Sequence, residues 1–159
     1  MRQVDVVGIR LELPSNQPVL ILRDQESPRY LPLWIGVAEA TAITLAIDGV
    51  APSRPLTHDL IQNLIIHLDE RVISVVISEL VEGTYFATIN FANHDAISAR
   101  PSDAVALAVR AGVPVFVDND VMDFAGMDLA EGEDNVTDSQ EELEAFRAFL
   151  DEIQPDDFS

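Results

Sequence analysis

The sequence predicts an α+β fold: a mixed, largely antiparallel sheet packed with about three buried helices, followed by an acidic C-terminal tail with a short helix. Three observations predict it. Residues 2–35 hold three apolar runs separated by short turn-forming stretches, the pattern of an antiparallel meander. Residues 36–48 and 101–112 are rich in alanine and apolar on almost every side, as helices inside a core are. Residues 118–159 carry 15 acidic side chains and one basic, a change of character that separates tail from body.

Each element has its own signal. In the first strand Val4, Val6, Ile9, Leu11 and Leu13 run near period two, with a shift at Val7-Gly8 that predicts a bulge. "VLILRD" and "YLPLWIG" follow after short turns as the second and third strands. "GVAEATAITLAID" is the first helix, with Gly49 as its stop. Thr57 is the expected N-cap of a second helix, "HDLIQNLIIHLDE", whose Leu60, Ile61, Leu64, Ile65 and Leu68 form one stripe at helical spacing. "RVISVVISELV" and "TYFATINFA" flank an "EG" hairpin turn, and "HDAISA" extends the sheet. "RPSDAVALAVRAG" is the third helix, and "VPVFV" a last buried strand. In the tail, "GMDLAEGEDNVTD" reads as linker, and a capping box of Ser139 and Glu142 opens a helix with Leu143, Phe146, Leu150 and Ile153 on one stripe. The expected division is a folded domain over 1–125 and an acidic linker with a C-terminal helix over 126–159.

Composition narrows the function. The chain of 159 residues has a net charge of −19, but residues 1–117 hold 13 acidic and 8 basic side chains, so the body is nearly neutral. All nine basic residues are arginine, a side chain suited to bidentate phosphate or carboxylate contacts. Such a body has no basic stripe for tight duplex binding. With no cysteine there is no thiolate nucleophile, no disulfide and no cysteine zinc site. No apolar run approaches a membrane span, and the N-terminus reads as a strand and not a signal peptide, so a cytoplasmic protein is expected.

The chemistry gathers at the helix mouths. Each predicted body helix has an acid in its first turn: Glu39, Asp59 and Asp103. Arg54-Pro55 and Arg100-Pro101 precede two of these mouths. Acids here interact favourably with the helix dipole by roughly 0.3–1 kcal/mol, so capping alone explains any one of them. Together they fit two arrangements. In one, the arginines pair with the acids as a closed structural network. In the other, Glu39, Asp59 and Asp103 converge on Mg²⁺ or Mn²⁺, Arg54, Arg100, Ser102 and backbone amides hold a phosphodiester, and His58 moves a proton. Trp34 reads as core or interface, and His67 as a boundary residue.

"LPLWIGVAEATAI", "RPLTHDL" and "ARPSDAVALAVRAGVPVFV", in this order and spacing, closely resemble the bifunctional nuclease domain family, and the chain looks like an actinobacterial member. The resemblance covers roughly residues 1–125. It implies a mixed α+β fold, self-association with a dimer favoured, and hydrolysis of phosphodiester bonds in RNA and DNA. The family's polar positions fall here on Glu39, Arg54, Thr57, His58, Asp59, Arg100, Ser102 and Asp103. Read as one site, Glu39, His58, Asp59 and Asp103 are catalytic, and Arg54, Thr57, Arg100 and Ser102 bind substrate. Glu39, Asp59 and Asp103 are the candidate metal ligands. Many relatives carry an acid two residues before the second arginine, where this chain has Ser98. A ligand set using that acid is one short here. The alternative is a non-catalytic regulatory or binding module that uses the same pocket for a small anionic ligand or a protein partner.

Overall fold

The computed structural model describes residues 1–128 and the single position Ala148. The expected linker from 129 onward and the expected helix opened by Ser139 lie outside the described residues.

Strands β1 (Arg2–Glu12), β2 (Gln17–Asp24) and β3 (Arg29–Trp34) form the expected antiparallel meander. The register between β1 and β2 slips between Val6 and Gly8, where period two breaks in the sequence. After helices α1 (Val37–Ile47) and α2 (Thr57–His67), strands β4 (Val72–Val81), β5 (Thr84–Phe91) and β6 (Ile97–Ala99) form a second antiparallel meander. Its hairpin turns at Glu82 and Gly83, both at positive φ (49° and 79°). Two such residues in a row match the right-handed twist of the flanking strands, which is why "EG" signals the turn.

Helix α3 (Pro101–Ala111) then crosses over to β7 (Val115–Val117), which lies parallel to β4 and antiparallel to β1. One eight-stranded sheet results, in the order β6-β5-β4-β7-β1-β2-β3-β8. The fold class is α+β with a mixed, mostly antiparallel sheet, as expected. Two elements had no sequence expectation: helix α4 (Asn119–Ala125) and the two-residue strand β8 (Met127–Asp128) on β3. Asp118 caps α4 by accepting from the Asp120 amide. β8 therefore occupies the start of the expected linker.

The helices differ in depth. α3 packs on α1, α2, β4 and β5, and its Ala104, Val105, Ala106, Leu107 and Ala108 are buried. Small side chains let its neighbours approach closely. α1 rests on β1, β2 and α3 through Ala40, Ala42 and Ile43, but Val37 and Ile47 face solvent, so it is less enclosed than its composition predicts. α2 is outermost. Ile61 and Ile65 pack against the core, whereas Leu60, Leu64 and Leu68 point outward. The predicted apolar stripe is wider than the α3 surface available to cover it. Trp34 is about half exposed, its indole N–H donating to Glu12, and so is not a core residue. Among the described residues no helix is long and apolar enough to cross a membrane.

One polar knot ties the second meander. The Glu70 carboxylate accepts from the amides of Arg71 (2.8 Å) and Asn93 (3.1 Å) and is bonded to the His94 ring. The His94 contact and these amides hold the carboxyl down to about 2, against an ordinary 4.5. A depressed pKa in the folded state means stability that is full above the unfolded value and lost as pH falls through the folded one. The Tm gap between wild type and Glu70→Gln is therefore expected to be constant above about pH 5. It should close progressively between pH 4.5 and about 2. Thermal melts across that range check it, and a gap independent of pH would show that the carboxylate is not the stabilising group.

Candidate functional site

The site is built on the N-terminal turns of the three body helices. Arg100 caps α3 in extended conformation and Pro101 occupies the first helical position, where its fixed φ fits and no amide is needed. This places Asp103 in the first turn, 30 % exposed. Arg100 Nε donates to Asp103 Oδ2 at 2.7 Å, and Arg100 Nη2 donates to Glu39 Oε1 of α1 at 2.8 Å. The other oxygen of Asp103, Oδ1, lies 2.9 Å from His58 Nε2 of α2. A continuous polar chain, Glu39–Arg100–Asp103–His58, thus links three helix mouths.

Its members differ in access to water. His58 is buried at 8 % exposure, and Ser102 beside Asp103 is buried as well. The Arg100 side chain is 65 % exposed. Burial pushes the Asp103 carboxyl up, but the hydrogen bonds from Arg100 and His58 outweigh it and hold the group below the usual carboxylate range. An ionised carboxylate can only accept, so His58 carries its proton on Nε2, and Nδ1 is the nitrogen able to take another. Arg100 is raised above its ordinary value by the bonds to Asp103 and Glu39 and stays cationic.

Asp59 faces elsewhere. Its Oδ1 accepts from Arg110 Nε at 2.8 Å, and its Oδ2 accepts from the Leu56 amide at 3.0 Å. The second contact caps α2, so the N-cap is Leu56 and not Thr57, which is the first helical residue and exposed. With Asp59 satisfying the Leu56 amide, the threonine hydroxyl has no capping task. Arg110 lies in the last turn of α3, with its side chain only 9 % exposed. The bond from Arg110 lowers the Asp59 carboxyl despite opposing burial. α2 therefore straddles α3, with His58 reaching its first turn and Asp59 its last. Beside this pair runs a groove of about 390 Å³, walled by Leu45, Val50, Pro52, Pro55 and Val109.

Of the eight sequence-predicted positions, Glu39, His58, Arg100 and Asp103 come together in one bonded chain, with Ser102 adjacent. Asp59 joins a second pair. Arg54 is exposed in the loop before α2 and makes no ion pair among the described residues. The two Arg-Pro pairs thus occupy different settings. Arg110 and Gly36 were not among the candidates. Gly36 caps α1, and a Cβ there would collide with Glu39 Oε2 in its present position. A bare backbone at 36 lets the carboxylate fold back over the helix mouth. Glycine three residues before an acid at a helix start was the available signal.

The acids do not present a ready metal centre. Glu39 and Asp103 share one guanidinium, Asp59 is held by another, and no three His, Asp or Glu side chains cluster as metal ligands among the described residues. The arrangement does not fit Mg²⁺ or Mn²⁺ at these three carboxylates as they are placed.

The family model described as the bifunctional nuclease domain matches residues 20–130. Uncharacterized proteins from two strains of Mycobacterium tuberculosis are each 49 % identical over 161 aligned residues, covering 99 % of this chain and 98 % of theirs.

Proposed function

The chain belongs to the bifunctional nuclease domain family, and from that premise we propose that it hydrolyses phosphodiester bonds of RNA and DNA at the Glu39–Arg100–Asp103–His58 chain. The observation that carries this reading is the pairing of a buried, carboxylate-oriented imidazole with an exposed arginine through one shared aspartate. Asp103 holds the His58 ring in one tautomer. Nδ1 then takes a proton from a water whose oxygen attacks phosphorus, while the P–O bond to the leaving oxygen breaks and that oxygen takes a proton from solvent water. Arg100, tethered by Glu39 and Asp103, meets the charge on the non-bridging oxygens. Ser102 and the α3 amides add donors at a helix N-terminus.

Under this reading nucleic acid binds weakly, because the body offers few cations for phosphate neutralisation. Self-association with a dimer favoured, and a cytoplasmic setting, belong to the same proposal. A second reading has its own support: every carboxylate of the site already has a cationic or imidazole partner. That closed network suits a non-catalytic module in which Arg100 recognises a small anion or an acidic partner.

Cleavage of single-stranded RNA and DNA by purified chain, with and without chelator and with added Mg²⁺ or Mn²⁺, separates the two. Arg100→Met is expected to reduce kcat/KM roughly 10²-fold, since a guanidinium aimed at transition-state charge contributes about 3 kcal/mol. Cleavage that does not track with this substitution belongs to a contaminant and leaves the binding module as the function.

A further inference from the structure

Outside the site, the outer face of α2 carries a run of exposed apolar side chains. Leu56, Leu60, Leu64 and Leu68 recur at every fourth position from N-cap to C-cap, at 43 %, 51 %, 51 % and 73 % exposure. Leucines at this spacing lie one above another, making a ridge about 18 Å long. The ridge is not needed to seat α2, because Ile61 and Ile65 already pack on the other side. Contiguous apolar surface of this kind marks a contact.

We propose that the C-terminal segment of the same chain, residues 139–153, lies along this ridge and sets Leu143, Phe146, Leu150 and Ile153 against the four leucines. Its 3-4-3 spacing is that of one helical face. From Leu143 to Ile153 such a face extends about 15 Å, close to the ridge it would cover. Ala148, which is helical and exposed, is two residues from both Phe146 and Leu150 and so falls about 200° around a helix from each. That position belongs to the side away from the contact.

The tether reaches. Fourteen residues lie between Asp128 and Leu143, an extended span of up to about 50 Å, against a radius of gyration of about 14 Å for a body of this size. A second copy is a poorer occupant. The ridge is about 18 Å by 10 Å, far short of the roughly 800 Å² per partner that a stable dimer buries. An attached segment has no such requirement, because a short linker supplies it at an effective concentration of about millimolar.

The absence of cysteine from the chain gives a clean test. In the full-length double variant Leu64→Cys/Phe146→Cys, mild oxidation at low micromolar concentration is expected to close an intrachain disulfide in most molecules. Pairing Phe146→Cys with Ser15→Cys, in the turn after β1, is expected to close several-fold less. Interchain dimers as the main product, or equal closure with both partners, overturn the proposal. As an independent measure, Phe146→Asp/Leu150→Asp in the full-length chain is expected to speed amide exchange across residues 60–68 by about tenfold or more, the effect of losing roughly 1.4 kcal/mol of local protection. Unchanged exchange there also overturns it. Neither result depends on nuclease activity.

Discussion

Asp103→Asn is expected to lower phosphodiester cleavage about 10² to 10⁴-fold while the helices stay folded. The substitution keeps size and removes one thing, an acceptor on both oxygens. Asp103 now accepts from Arg100 through one oxygen and from His58 through the other. An asparagine has one oxygen and one NH₂ group. If the oxygen stays with Arg100, the NH₂ faces His58 Nε2 and donates to it, which moves the imidazole proton to Nδ1. The nitrogen that should take a proton from water then already carries one. The alternative flip satisfies His58 but points NH₂ at a guanidinium, which loosens Arg100. Either outcome removes catalysis by a different route. The expected signature is a fall in kcat larger than any rise in KM, with unchanged far-ultraviolet circular dichroism. A variant that unfolds would identify Asp103 as structural and favour the non-catalytic module.

The second large effect is on stability. Arg110→Ala is expected to cost about 2–3 kcal/mol, less than the roughly 3–5 kcal/mol of breaking a fully buried ion pair, because Asp59 keeps about a quarter of its side-chain surface in water. The loss has two parts. Asp59 is left with only the Leu56 amide as a partner, and the contact of Arg110 Nη1 with the Ala106 carbonyl disappears. Since α2 rests mainly on α3, the damage falls on the seating of α2. For a domain of this size the Tm should fall by about 10 °C. The double variant Asp59→Asn/Arg110→Met is expected to recover much of this, since asparagine can still accept from Leu56 and methionine fills the space of the arginine stem. A Tm change below about 2 °C for Arg110→Ala would mean that the pair is as weak as an exposed one.

The strands were legible because period-two alternation is a local signal. The Val6–Gly8 slip and the Glu82-Gly83 turn could each be read from a few neighbouring residues. The boundaries of α3 were legible for the same reason, with Arg100-Pro101 at one end and Gly112, in the left-handed conformation, at the other. What could not be read was which charges meet. Asp103 and Arg110 lie on one helix at a spacing that suggests a shared face, yet Arg110 turns to Asp59 of α2. That choice depends on where α2 crosses α3, which no periodicity encodes. The two Arg-Pro pairs look alike in sequence, but Arg100 is drawn inward by Glu39 and Asp103 while Arg54 stays in a solvent loop. A 3.6-residue stripe states that a helix has an apolar side, not how much surface exists to cover it, so the division of α2 into inward isoleucines and outward leucines was also hidden. α4 was missed because seven residues with two acids give too little periodicity.

Strand β7 has a consequence for how the protein is made. It has only three residues, yet among the described strands it alone bonds the first meander to the second, with β1 on one side and β4 on the other. A nascent chain that has not yet emerged beyond Val117 consists of two sheets with no seam between them. Each then has a bare hydrogen-bonding edge open to other polypeptides. Val115, Phe116 and Val117 are thus the keystone of synthesis: continuity of the whole β-layer waits on a strand about nine-tenths of the way along residues 1–128 to leave the ribosome.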